Sequence, residues 1–149
     1  MTHAQLPIDV LLVDDNADDA EFALRALRRA QPSIQVTVAD DGVAALDFMF
    51  CKGAYEGRPP IAPRVILLDL KLPRIDGLEV LRRIKGDART RNVPVVVLTS
   101  SNERRDIDEA YVRGANSYIV KPVEYVELVA KLQDLIRYWL QLNQSVPGE

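Results

Sequence analysis

The stretch RVILLDLKLPRIDG, residues 64–77, opens as a buried strand and then sets Asp69 where an apolar side chain is expected. Val65, Ile66, Leu67 and Leu68 have the length and composition of a strand covered on both faces. An acid directly after such a run stands at the strand's carboxyl end, and Pro73 and Gly77 are turn residues that lead into the next helical pattern. Outward from this stretch the same grammar repeats. IDVLLV (8–13), IQVTVA (34–39), VPVVVLT (93–99) and SYIV (117–120) read as strands by β-branched content and length. Between them lie apolar residues at helical spacing: Phe22, Leu24 and Leu27; Val43, Leu46 and Phe50; Leu78, Leu81 and Ile84.

Strand followed by helix, five times over, predicts an α/β fold: a three-layer, doubly wound (βα)5 sandwich on a parallel sheet, with right-handed crossovers. Helix starts agree. Asn16 with Asp19 three residues on resembles a capping box, Asp41 precedes the second helix, and Ser101 or Asn102 precedes the fourth. The chain of 149 residues reads as one domain, 1–149, with its core over about 7–142. CKGAYEGRPPIAP (51–63), with two glycines and three prolines, is expected to be an irregular loop inserted before the third strand.

Composition narrows the chemistry. With 48% apolar residues a real core is available, and a formal charge of -3 argues against a nucleic-acid footprint. Cys51 is the only cysteine, so no internal disulfide forms, and MTHAQLP lacks the features of a secretory signal. No apolar run reaches the ~18 residues of a membrane span, so a cytoplasmic protein is expected. The only histidine, His3, lies in a polar amino-terminal segment, which leaves catalytic triads and multi-histidine zinc sites without a scaffold. Carboxylates must carry the chemistry.

In doubly wound sheets ligands bind beyond the carboxyl ends of the strands. There stand Asp14 and Asp15 after the first strand, Asp69 after the third, Thr99 ending the fourth, and Lys121 with Pro122 after the fifth. Strand order 2-1-3-4-5 makes the first and third strands neighbours, so three carboxylates from distant positions converge. Clustered carboxylates repel unless one is protonated or a cation joins them, and oxygen-only ligands suit Mg²⁺, or Mn²⁺ in its place. With the ammonium of Lys121 and the hydroxyl of Thr99, the set fits a phosphoryl group carried on a carboxylate.

On these residues the sequence resembles the receiver domains of two-component response regulators, whose fold is flavodoxin-like. The resemblance covers nearly the whole chain: Asp14 and Asp15, Asp69 in DLKLPRIDG, Thr99 in VLTS, and Lys121 in the Lys-Pro pair. It implies that Asp69 accepts a phosphoryl group from a phosphohistidine on a sensor histidine kinase. It also implies that Asp15, Asp69 and the backbone carbonyl of Lys71 hold the metal, that Asp14 orients a metal-bound water, and that Thr99 and Lys121 bind phosphoryl oxygens. A cis Lys121–Pro122 bond is implied as well. Tyr118 stands where the family has an aromatic that swings inward as the Thr99 hydroxyl moves, giving a switch at the face of the fourth helix, fifth strand and fifth helix. Lys71 and Ser101 occupy positions that vary among members and control water access to the acyl phosphate.

The long loop, the lack of an output domain in this sequence and the tail IRYWLQLNQSVPGE resemble the single-domain regulators paired with bacterial phytochromes. A fifth helix is predicted from about Glu124 to Asn143, roughly 30 Å at 1.5 Å per residue. Leu128, Leu132, Leu135, Ile136, Trp139 and Leu140 lie on or near one face of it, and the segment 137–149 is expected to extend past the sheet. Exposed apolar surface there, with Tyr118, Leu135 and Trp139, predicts a homodimer.

Other functions fit less well. A haloacid-dehalogenase-type phosphatase needs a second aspartate two positions after its nucleophile, and that position is Lys71. A flavodoxin-like electron carrier would need donors in its first loop, which here reads DDNADD. No Walker sequence is present. A phosphate sink, or a binding module that works without phosphorylation, stays open on the same fold.

Overall fold

The structure, a computed structural model, describes residues 8–146. Its strands are β1 (Val10–Val13), β2 (Val36–Ala39), β3 (Val65–Leu68), β4 (Val95–Thr99) and β5 (Ser117–Val120). They pair in parallel in the order β2-β1-β3-β4-β5, the order predicted. The three central strands are buried along their whole length, which is why their sequences are apolar without alternation. The ladders of β1 to β4 begin one to two residues later than the apolar runs, and β5 begins where its run does. Asp9, just before β1, is buried and accepts the Gln35 N–H at 2.9 Å, so a side chain closes the sheet edge there.

The helices are α1 (Ala17–Ala30), α2 (Gly42–Phe50), α3 (Gly77–Lys85), α4 (Arg104–Val112) and α5 (Tyr125–Ile136). Alternate strand residues feed two cores. Val10, Leu12, Val65, Leu67, Val96 and Leu98 pack on α1 and α5. Leu11, Val13, Ile66, Leu68, Val95 and Val97 pack on α2, α3 and Ala110 of α4. Period-two alternation thus sorts each strand's side chains to opposite layers.

Several predicted details shift. In α1 the buried face is Ala20, Ala23, Ala26 and Leu27, while Phe22 is exposed and meets the ring of Tyr125 at 6.0 Å. Small residues bring α1 close to α5, so the largest side chain does not mark the core. Asn16 and Asp41 cap α1 and α2, accepting the N–H groups of Asp19 (3.0 Å) and Ala44 (2.7 Å). The residue capping α4 is Glu103, not Ser101 or Asn102. The Ser101 hydroxyl instead donates to Asp106 at 2.5 Å and accepts from the Glu103 N–H at 3.3 Å.

The 51–63 loop is more ordered than predicted. Cys51 ends α2 with φ 55° and a 3-10 turn follows over Gly53–Tyr55. The Arg58 guanidinium lies 3.8 Å over the Phe48 ring and donates to the Phe48 carbonyl at 2.7 Å. Helix five also differs: α5 ends at Ile136, and Arg137–Leu142 winds as a π-helix. There the Asn143 N–H reaches back five residues to the Tyr138 carbonyl, at 2.6 Å. Leu140 stays buried, and its carbonyl accepts from the Arg64 guanidinium. The tail is therefore fastened beside the start of β3, with Trp139 packed partly against the core instead of standing clear of it. Leu135, predicted at an interface, is buried within the monomer core. No described helix is long and apolar enough to cross a membrane; His3 lies outside the described residues.

Candidate functional site

The carboxyl ends of β1, β3, β4 and β5 bring Asp14, Asp69, Thr99 and Lys121 together. Parallel pairing in register aligns Val13 with Leu68 and Thr99 with Val120, so the next residues emerge side by side at one rim. The loop after β3 folds back sharply: the Gly77 N–H donates to the Leu70 carbonyl at 2.9 Å. A Cβ on Gly77 would run into the Asp69 carbonyl oxygen and come within 2.5 Å of the Leu70 Cα. Glycine is required there because α3 starts against the backbone of the acid itself. Within this loop Arg74 takes a φ of 68°, and its guanidinium reaches Asp41 at 3.3 Å.

Both oxygens of Asp69 are engaged. Oδ1 accepts the Thr99 hydroxyl at 2.8 Å and the Lys71 N–H at 3.2 Å, and Oδ2 accepts the Lys121 ammonium at 2.9 Å. Lys121 also donates to Asp14 Oδ2 at 2.7 Å and to Asp19 Oδ2 at 3.2 Å. An ammonium has three N–H donors, and three carboxylates take them. Burial alone would lower the pKa of Lys121, but the hydrogen bonds and charges of Asp14 and Asp69 outweigh it and hold the group above 10.5. Asp14 moves above 3.8: burial raises it further than its share of one ammonium and the Asn16 N–H lowers it. Tyr118 is half-buried, and its hydroxyl donates to the Ser101 carbonyl at 2.9 Å. Burial raises that phenol above 10.0.

Asp15 is exposed. Asp14 and Asp69 have their charge offset by the chain's own ammonium, and the third acid on it is Asp19. Asp19 was legible only as a capping partner, because its contact spans 102 residues of sequence. One expectation changes here: every described peptide bond is trans, Lys121–Pro122 included. The trans form is the ordinary preference for a bond before proline, by about 0.5–1 kcal/mol. With it the Lys121 N–H donates to the Thr99 carbonyl at 2.7 Å while the ammonium still reaches the acids.

The donor set nevertheless suits a hard divalent ion. All the acceptors are carboxylate or carbonyl oxygens, and Asp14 and Asp69 already share one cation at 2.7 and 2.9 Å.

Residues 10–133 match the response regulator receiver domain family. The chain is 41% identical over 145 residues to a probable methanogenesis regulatory protein, FilR2 of Methanothrix harundinacea, covering 97% of this chain and 91% of that one. Among solved structures, the phosphorylated cyanobacterial phytochrome response regulator RcpA aligns with a TM-score of 0.87 at 32% identity, over 96% of this chain and all of that one (100%). The Mn²⁺-bound form of response regulator Rcp1 gives 0.84 at 34%, over 94% and 99%. The bacteriophytochrome response regulator AtBRR gives 0.75 at 46%, over 94% and 100%. A match across most of the chain, on the fold and acid rim described above, makes this protein a member of the response regulator receiver domain family of two-component signalling.

Proposed function

We propose that Asp69 is the phosphoacceptor of a Mg²⁺-dependent transfer from the phosphohistidine of a sensor kinase. The observation that carries the reading is the pairing of Asp69 with both Thr99 and Lys121 at the sheet rim. A carboxylate oxygen of Asp69 forms the new O–P bond while the P–N bond of the donor breaks. The electron pair leaves on the imidazole nitrogen, which takes up a proton. Thr99, fully buried, has its hydroxyl fixed on Asp69 Oδ1, from where it can follow the phosphoryl oxygens. Lys121 is held at the same edge and can exchange its carboxylate partner for a phosphoryl oxygen. Asp14, Asp15, Asp69 and the Lys71 carbonyl would hold the metal, which when bound offsets the charge gathering on the phosphoryl group.

The likeness to the phytochrome response regulator RcpA and the bacteriophytochrome response regulator AtBRR supports a phytochrome-type kinase as the donor. Signalling then runs through protein contacts: movement of Thr99 frees room that Tyr118 can enter, releasing its bond to the Ser101 carbonyl and altering the α4/β5/α5 face. A homodimer on that face is supported by the half-exposed edge strand β5 and by exposed Tyr111 and Val112 of α4. With Leu135 buried, Tyr118 and the rim of Trp139 are the parts of the predicted contact open to a partner. In transfer from a labelled histidine kinase with Mg²⁺, wild type gains label and Asp69→Asn gains none. Equal labelling of the two would refute the assignment.

A further inference from the structure

Asp19 has no part in the mechanism above, yet it completes a closed ring of hydrogen bonds around Lys121. Asp14 Oδ1 accepts the Asn16 N–H at 2.9 Å, and the Asn16 side chain accepts the Asp19 N–H at 3.0 Å. Asp19 Oδ2 accepts from Lys121 at 3.2 Å, and Lys121 donates in turn to Asp14 Oδ2 at 2.7 Å. The cap of α1 and the placement of the ammonium are therefore one network. Asp18, beside Asp19 in the same helical turn, makes no ion pair with Lys121.

We propose that Asp19 is a positioning residue: by taking a share of the Lys121 ammonium at 3.2 Å, beside the bonds of 2.7 Å to Asp14 and 2.9 Å to Asp69, it weakens the ammonium's hold on Asp69. The role rests on the phosphoacceptor reading of Asp69. A carboxylate held by an ammonium is a poorer nucleophile and a poorer metal ligand than one that is partly released. With Asp19 in place, the ammonium divides itself among three acids; without it, Asp14 and Asp69 take the whole of it. Asp19 is 44% exposed, so the effect is that of a partly screened ion pair, about two- to fivefold in a rate or affinity.

The test uses the full chain with a small phosphoramidate donor for labelling, and a Mg²⁺ titration followed by backbone amide resonances for binding without chemistry. Asp19→Asn is expected to slow labelling and weaken Mg²⁺ binding by about two- to fivefold. Asp19→Glu restores both, and Asp18→Asn, which removes the same charge from the same turn, leaves both near wild type. In a Lys121→Gln background Asp19→Asn changes Mg²⁺ affinity no more than Asp18→Asn does. The proposal is overturned if Asp19→Asn matches wild type, if Asp18→Asn or Asp19→Glu behaves like Asp19→Asn, or if the effect persists without Lys121. Failure of wild type to label at Asp69 would instead remove the phosphoacceptor reading, and the Mg²⁺ arm would still decide whether Asp19 acts through Lys121.

Discussion

Lys121 and Asp14 show how burial and pairing together set the charge state of the rim before any ligand arrives: pairing prevails at Lys121 and burial at Asp14. Burial raises Asp14 above 3.8 against the pull of Lys121, so its folded-state value lies above that of the unfolded chain. Between the two values the folded protein binds more protons, and stability falls as pH rises through the folded value. Charging Asp14 is thus a cost borne at neutral pH. Asp14→Asn is expected to gain stability relative to wild type as pH is raised from about 4, the gain levelling once Asp14 is fully ionised. Urea melts of both proteins across that range would check it; a difference that stays flat, or shrinks with rising pH, contradicts the assignment. Asp69, Thr99 and Lys121 were legible in the sequence because each sits directly at a strand end, where pattern and position coincide. Asp19 was not: helical spacing reveals its place in a cap, and only folding across the sheet reveals its ammonium.

At the scale of elements, the loop from Asp69 to Gly77 matters as much as the strand before it. The start of α3 lies against the Asp69 carbonyl with no room for a side chain at Gly77. Gly77→Ala is expected to cost about 1–3 kcal/mol, as overpacking of a filled site does, and to displace Asp69 from Thr99. A melting curve and the labelling rate of Asp69 measure the two effects, and an unchanged pair would mean that the loop yields freely. Strand existence and order were readable because β1, β3 and β4 are apolar throughout. Helix faces were less so. In α1 three alanines make the contact with α5, and an alanine face carries little signal beside an exposed phenylalanine. The cap of α4 was missed because Ser101, the better capping residue, bonds with Asp106 instead.

Over the whole molecule, the two cores are closed at the carboxyl terminus by a segment that the sequence placed outside them. Leu140 is buried, Trp139 packs beside it, and Arg64 holds the backbone between them and the sheet. Periodicity extended the helix through this region correctly but could not foresee the π-winding, which turns on backbone bonds and not on residue type. Truncation after Ile136 removes the burial of Leu140 and part of Trp139, and is expected to destabilise the monomer by about 2–4 kcal/mol as well as weaken the proposed dimer. Chemical denaturation and sedimentation equilibrium separate the two. Unchanged stability would show that the tail adds nothing to the core.

All three scales converge on one carboxylate, Asp69, held between a hydroxyl and an ammonium. The most direct measurement is to incubate the full chain with Mg²⁺ and a small phosphoramidate, then map the modified residue by mass. The account predicts a single phosphoryl group on Asp69, absent when Mg²⁺ is withheld. A label on any other residue, or one of equal yield without the metal, would contradict it.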